Sequence, residues 1–297
     1  METLTPRSAV RVAGKTLREL RRGATITRDG GARAGWVFLR EEVFRNTLVR
    51  LPVPGRREAR VECNVCGWRG PRFLSHCGAG YVNLDAFCPS CMSYPRHRGF
   101  AHLLAGTLAD ELRELGSGRG LRLLFAPERG MRALLEPRVG ALAGVDLHRI
   151  NDLVAHVEDV QRLSFADGSV DFFSCFHVLE HVPDDRAGLR ELARVLHPRG
   201  RAIFNVPMTL GRRETIAFGH ANPLANGHWF DYGEDFVERL AEAGFSGRGY
   251  RLKHMLSEGL YERLRLQDEM IFALERPAPG EQPCIRDHEG RVLLASV

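Results

Sequence analysis

Short apolar segments alternate with helical patterns over the second half of the chain. Four strand-like runs occupy residues 122–128, 141–148, 170–178 and 201–207. The segments between them have helical apolar spacing, which is clearest over residues 184–200. Repeated units of this kind predict an α/β fold, with a mostly parallel sheet covered by helices on both faces.

Polar residues follow these strands where ligands usually bind in such a sheet, outside the carboxyl ends of the strands. Glu180 and His181 come directly after the apolar run 170–178. Asp146 ends the second run, at a suitable distance to accept hydrogen bonds from ribose hydroxyls. Asp159 closes the next segment, where it would accept an adenine amino group. Helix caps or turns are the alternative role for each aspartate.

Residues 158–207 resemble the class I S-adenosylmethionine-dependent methyltransferases, on the phrase VLEHV and on a helix that ends RVL-x-P-x-G. The resemblance extends from about residue 120 to 276. It implies a Rossmann-like sheet of seven strands, whose last two form an antiparallel hairpin over residues 247–253 and 268–277. It also implies S-adenosylmethionine as the cofactor, with these contacts: the ribose at Asp146 and Leu147, the adenine at Asp159 and Val160, and the methionine part at Phe176 and His177.

The first turn departs from the family pattern. The family has a glycine-rich turn, whereas this chain has Ala126, Pro127 and Glu128 before Gly130. Glycines there let the backbone approach the cofactor closely. Ala126 is small enough to replace one, and Glu128 would bind the ammonium group of the cofactor. Bacterial methyltransferases with an N-terminal cysteine module have a similar turn, so we interpret it as a variant; a decayed, non-catalytic module that binds cofactor or a partner is the alternative.

Two CxxC pairs, Cys63 with Cys66 and Cys88 with Cys91, precede this domain. Four thiolates are the ligand set of a closed, tetrahedral structural zinc site, so we predict a small zinc-ribbon-like module. His76 and Cys77 are spare ligands in this interpretation, and a redox role is the weaker alternative. We expect Arg96 and Arg98, just after the module, either to face an anionic group of substrate or cofactor or to be solvated at a helix start.

The acceptor side of the site rests on two histidines. His181 and His228 are candidate bases for a hydroxyl acceptor, because imidazole titrates near neutral pH. The alternatives are that His181 holds its loop and that His228 caps a helix. Residues 208–230 form a long irregular stretch, which we expect to be a binding loop. Phe230 stands where the related pattern has arginine, which weakens any anion contact there.

We therefore expect a methyltransferase that acts on a hydroxyl or amine of a small molecule, such as a sugar or secondary metabolite. A zinc-finger RNA methyltransferase is the main alternative. The formal charge is +5, and much of the basic excess lies in the first 72 residues, either as a solvated arm or as a contact for a polyanion.

The chain has 297 residues, and no apolar run approaches the ~18 residues of a membrane span. No secretion signal is apparent, so we expect a cytoplasmic protein without membrane contact. Predicted units are an arm (1–60) with a helix near residues 15–22 and a strand-like run at 36–39, the zinc module (61–98), the methyltransferase domain (99–276) and a tail (277–297). Homodimer formation is left open.

Overall fold

The computed structural model describes residues 6–46, 59–109, 112, 120–278 and 280–293, with side chains from Leu20 onward. No helix in these ranges is long and apolar enough to cross a membrane. Helix α2 begins at Pro95 and ends at Ala105.

The N-terminal part is helical. Helix α1 (Pro6–Val37) contains the helix expected near residues 15–22 and is interrupted at Gly31, which has φ 78°. A π-helical segment (Phe38–Phe44) follows it directly. The strand expected at residues 36–39 is therefore wrong. Phe38 is buried against Ile26 and Cys77, while its neighbours Trp36 and Leu39 are exposed, and this burial suits a helix that packs along one side.

The cysteine module consists of two small antiparallel hairpins. Its strands are β1 (Val61–Glu62), β2 (Arg69–Gly70), β3 (Leu74–Cys77) and β4 (Val82–Phe87). Strand β1 pairs with β2, and β3 pairs with β4. Asn46, just after the π-helical segment, exchanges two hydrogen bonds of 2.7 and 2.8 Å with the backbone of Ser75, so the N-terminal helices dock on β3.

The remaining strands build one large sheet and a hairpin. Sheet strands are β5 (Leu121–Phe125), β6 (Ala143–Asp146), β7 (Val154–Val157), β8 (Val170–Phe176), β9 (Leu196–Asn205), β12 (Ser246–Arg251), β13 (Met270–Glu275) and β14 (Ile285–Asp287). Their order is β14-β12-β13-β9-β8-β5-β6-β7. Strands β5 to β9 are parallel, and β13 pairs antiparallel with β9 and with β12. This confirms the α/β class and the antiparallel last pair; β14, from the expected tail, adds an eighth strand parallel to β12.

Helices cover both faces of this sheet. They are α3 (Arg129–Val139), α4 (Asp185–Val195), α5 (Phe236–Glu242), α6 (Leu252–Met255) and α7 (Glu258–Arg263). Neighbouring residues of one strand serve different faces: Phe173 packs with α4 and α5, whereas Phe172 packs with α2 and α3. A strand buried on both faces needs apolar side chains on both, which explains why most residues of 170–176 are apolar.

The chain crosses from one side of β5 to the other. Strands β5, β6 and β7 extend in one direction, and β8 then returns to pair with β5 on its other edge. Such a reversal opens a crevice at the carboxyl ends of the central strands, where ligands bind in open α/β sheets.

The insertion at 208–230 is more regular than expected. It contains an antiparallel hairpin of β10 (Ile216–Asn222) and β11 (His228–Asp231), with a register shift between Ala217 and Asn222. Asn226, at φ 58°, and Gly227, at φ 80°, provide the left-handed turn residues that such a hairpin needs.

Candidate functional site

The four cysteines of the CxxC pairs converge on one point. Their sulfur atoms all lie within 4.8 Å of one another; Cys63 Sγ is 3.6 Å from Cys91 Sγ, and Cys66 Sγ is 3.7 Å from Cys88 Sγ. A tetrahedral zinc ion with Zn–S bonds of about 2.3 Å requires S···S separations of roughly 3.8 Å. The thiols therefore fit a closed four-sulfur zinc site.

Both cysteine pairs are built by the same local structure. The carbonyl of Cys63 accepts from Gly67 N at 2.7 Å, and the carbonyl of Cys88 accepts from Met92 N at 2.9 Å. Gly67 and Met92 both have positive φ, at 74° and 59°. These matching turns direct each pair of thiols inward.

The spare ligands lie elsewhere. Cys77 is buried beside Ile26 and Phe38, where burial raises the pKa of its thiol to about 11. His76 is engaged through both ring nitrogens, with Arg22 at 2.9 Å and with the Tyr81 hydroxyl at 3.1 Å. Neither residue belongs to the four-thiol cluster.

Arg98 does not face a ligand, which corrects our expectation for it. Its side chain is fully buried. The guanidinium donates to five backbone carbonyls, at 2.7–3.4 Å, three in the cysteine module (Asp85, Ala86 and Ser93) and two just after α7 (Leu264 and Arg265). Arg98 therefore joins the two parts of the chain.

Arg96 and His97 instead hold the first turn of the sheet. Arg96 Nη2 lies 2.9 and 3.1 Å from the two carboxylate oxygens of Glu128, and His97 Nε2 lies 2.7 Å from Oε2. Burial raises the pKa of the Glu128 carboxyl, but Arg96 and His97 outweigh this and lower the pKa to about 2. Glu128 is thus ionised, and its side chain remains 30% exposed.

A cavity of about 840 Å³ lies at the carboxyl ends of β5, β8 and β9, within the usual size range of small-molecule sites. Five of the expected cofactor residues line it: Ala126, Pro127, Glu128, Phe176 and His177. Other walls come from the cysteine module, through Tyr81 and Tyr94, and from the hairpin, through Asn226 and His228.

Ala126 has the backbone conformation of a glycine. Its φ is 46°, in the left-handed region that favours glycine, while its N–H donates to Val145 O at 2.9 Å. The turn after β5 thus keeps the shape for which the family uses glycine, with a methyl group in place of hydrogen. This conformation fits a close approach of the turn's backbone to the cofactor.

The remaining expected cofactor residues lie around this cavity without lining it. Asp146 ends β6, and one of its carboxylate oxygens accepts from His148 N at 3.0 Å. Leu147 is exposed. Asp159 accepts from the backbone and side chain of Gln161, and Val160 is buried in the core.

Gly130 stands in the first turn of α3. A Cβ built there would meet His97 Nδ1 at 3.2 Å, so Gly130 allows the close packing of α3 on the start of α2. Gly130 does not line the cavity itself, but it packs against His97, and His97 holds the Glu128 side chain that does.

The two histidines of the acceptor side lie together. The ring centroids of His181 and His228 are 4.8 Å apart, with an angle of 84° between the rings. A single turn of 3-10 helix, Leu179–His181, positions His181, and the first residue of β11 is His228. Burial lowers the pKa of the His228 imidazole, which favours its neutral form.

Glu180, which we expected with His181 to face the ligand site, is buried and does not line the cavity. Its side chain is 0% exposed, His177 Nδ1 lies 3.1 Å from its Oε1, and His181 Nε2 lies 4.0 Å away. Burial raises the pKa of its carboxyl, and the two histidines outweigh this, so the net shift is downward. The signal in the sequence was a charged residue between Leu179 and His181, shortly after a mostly apolar strand.

Glu269 is a second buried carboxyl beside the cavity. Burial raises its pKa, which favours the protonated form. Glu269 comes directly before β13, and nothing in the sequence besides that position indicated that it would lie beside the cavity.

Comparison with known proteins bears on this site. Residues 114–204 match a family model described as a methyltransferase domain. This match confirms the resemblance over that segment of the chain. A methyltransferase domain of this kind supports S-adenosylmethionine as the cofactor. A search of curated proteins finds no match.

Solved structures give further similarities. Geranyl diphosphate C-methyltransferase from Streptomyces coelicolor is 14% identical over 64% of this chain and 86% of that chain, with a TM-score of 0.39. The 1,6-didemethyltoxoflavin-N1-methyltransferase from Burkholderia thailandensis is 19% identical over 61% of this chain and 87% of that chain, also with a TM-score of 0.39.

Proposed function

We propose that this protein transfers a methyl group from S-adenosylmethionine to a hydroxyl or amine of a small molecule. The observation that carries the proposal is the cavity at the carboxyl ends of β5, β8 and β9, where expected cofactor residues and the His181–His228 pair share one space. A methyl donor and an acceptor must meet in such a space, because positioning supplies much of the rate of an in-line transfer.

The two ends of the cavity have different roles in this proposal. Phe176, His177 and the turn at Ala126–Glu128 bind the methionine end of the cofactor, which supplies a methyl group on a positively charged sulfur when it is bound. Asp146 and Asp159 bind its nucleoside. His181 and His228 face the acceptor and control its proton, since both imidazoles line the cavity.

The cysteine module has a structural role. Four thiolates leave zinc no open position for a substrate, so the ion stabilises a fold and takes no part in the chemistry. Tyr81, Tyr94 and Arg96 of this region line the cavity. The zinc module thus forms part of the acceptor pocket, together with the β10–β11 hairpin.

Calorimetric titration with S-adenosylhomocysteine tests the cofactor site. We expect the zinc-loaded protein to bind it, and Asp146→Ala to weaken binding at least about tenfold, which corresponds to ~1.4 kcal/mol. Asp152→Ala is the matched control, because Asp152 is an exposed aspartate near the same strand ends, paired only with Arg129. If the wild-type protein does not bind, the decayed-site alternative is favoured.

The RNA alternative predicts a different result. Binding to RNA through basic side chains weakens steeply as salt increases, because counterions are released from the phosphates. Measuring RNA affinity at about 50 and 200 mM salt, next to turnover of small-molecule acceptors, distinguishes the two substrates. Strong, salt-sensitive binding with methyl transfer to RNA would overturn the small-molecule assignment.

We infer a cytoplasmic location, because reduced thiols suited to a metal site persist in reducing compartments. The unit boundaries at residues 60, 98 and 276 also remain proposals. Limited proteolysis of the zinc-loaded protein would locate them, since cleavage concentrates in exposed loops between folded units.

A further inference from the structure

Three ligand-type side chains meet at the acceptor end of the cavity. One ligand atom from each of Glu180, His181 and His228 lies within 4.8 Å of the others. Glu180 is fully buried, His228 is half-buried and the His181 side chain is 40% exposed. The cluster therefore has a closed side toward the core and an open side toward the cavity.

The buried carboxylate supplies an independent observation. Neither oxygen of Glu180 has a hydrogen-bond partner among the described residues. His177 Nδ1 lies 3.1 Å from Oε1 and pairs with it when the imidazole is protonated, whereas Oε2 has no hydrogen bond in the described part of the chain. A buried carboxylate oxygen without a partner is unfavourable, and buried charges are normally paired or bound to metal.

We propose that Glu180, His181 and His228 hold a divalent first-row metal ion. Two imidazoles and one carboxylate, with further positions open, form a ligand set used by such ions for catalysis. The 3-10 turn fixes Glu180 and His181, and the β10–β11 hairpin brings His228 to them from almost fifty residues away. His177, which also lines the cavity, lies 3.1 Å from Glu180 Oε1 and supports it as a neighbouring group that orients a ligand.

This site deepens the proposed function, on which it rests, by naming the acceptor class as a hydroxyl. A metal ion lowers the pKa of an oxygen that binds to it, so the acceptor can lose its proton near neutral pH. The proton passes to solvent in the open cavity. The acceptor oxygen then forms the bond to the methyl carbon as the carbon–sulfur bond breaks, and the electron pair of that bond remains on sulfur.

Titration of the zinc-loaded protein with Mn²⁺, followed by loss of the free-ion electron paramagnetic resonance signal, tests the site. We expect one Mn²⁺ per chain, and at least tenfold weaker binding in Glu180→Gln and in His228→Ala. His220→Ala is the matched control, because His220 lies on the same hairpin, exposed, with Nδ1 near Phe218 O. Co²⁺ absorption is the second measurement, because imidazole and carboxylate ligands give spectra distinct from those of thiolates.

S-adenosylhomocysteine affinity, measured on each variant, separates the outcomes. The metal site would be overturned if the protein binds S-adenosylhomocysteine but neither Mn²⁺ nor Co²⁺. It would also be overturned if both substitutions leave metal binding unchanged. In either case the methyltransferase proposal stands. Metal binding lost in the variants without any S-adenosylhomocysteine binding would support the metal site and contradict the methyltransferase function. Retained S-adenosylhomocysteine affinity in His228→Ala shows that this variant is folded.

Discussion

At the scale of single residues, Glu128 has a strongly lowered pKa in the turn between β5 and α3, which we propose as the cofactor turn. Its two oxygens are shared between Arg96 and His97, and its pKa falls to about 2 from an ordinary value of 4.5. A carboxyl group whose pKa is lower in the folded protein stabilises the fold above its unfolded pKa. That stabilisation is lost as the pH falls through the folded pKa.

We therefore expect the wild-type protein to lose more stability than Glu128→Gln between pH 4.5 and about 2, because only the wild type must protonate a paired carboxylate there. The difference in unfolding free energy between them should become constant only at a pH well above 6.5, where the His97 imidazole is neutral in both proteins. Urea unfolding at several pH values measures this, with zinc content determined in each sample, since acid also displaces metal from thiolates. Parallel curves for the two proteins would contradict the assignment.

At the scale of elements, the start of α2 connects the cysteine module to the cofactor turn. Arg96 lies over the ring of Tyr94 at 3.9 Å and pairs with Glu128, and His97 packs against Gly130. These contacts span about thirty residues of sequence and fix the turn between β5 and α3. The cysteine module therefore supports the geometry of the proposed cofactor site without contributing a ligand to the chemistry.

We expect Arg96→Ala to weaken binding of S-adenosylhomocysteine about tenfold, because a charge-assisted hydrogen bond contributes about 1.5–3 kcal/mol and the loss leaves Glu128 with one partner. Arg129→Ala is the control, since Arg129 is 74% exposed and pairs only with Asp152 on the surface. Calorimetry measures both variants. Equal affinities in the two variants would show that the turn keeps its shape without Arg96.

At the scale of the whole molecule, Arg98 is the main polar connection between the cysteine module and the methyltransferase domain. Its guanidinium lies 4.0 Å from the ring of Phe73 and donates to carbonyls on both sides. A buried arginine with this many acceptors leaves several of them unsatisfied when it is removed. The two parts of the chain should therefore lose stability together.

We expect Arg98→Met to reduce the free energy of unfolding by about 3 kcal/mol or more, because breaking a buried charged network is costly. Zinc should also be released at a lower urea concentration than in the wild type, which a chromogenic chelator reports. Arg265→Ala is the matched control, because it keeps the backbone carbonyl that Arg98 contacts while removing an exposed side chain. A variant as stable as the control would show that the interface rests on apolar contacts alone.

Much of the fold could be predicted because its signals are local. The apolar run at 170–176 must be a strand buried on both faces, and the two CxxC pairs each form one turn. The strand predicted at 36–39 was wrong because its signal is too short. Four apolar residues suit a strand as well as a helix, and contacts with Cys77, about forty residues away, decide between them.

Sequence alone therefore determined the α/β class, the methyltransferase resemblance and the four thiols, since strand periodicity, short motifs and cysteine spacing act over a few residues. Only the tertiary structure decided the roles of three charged groups. Arg98 reaches Leu264 across 166 residues, Glu128 takes its partners from α2, and Glu180 meets His228 through a hairpin. Burial and pairing of charges depend on which elements pack together, and that packing cannot be seen in a local pattern.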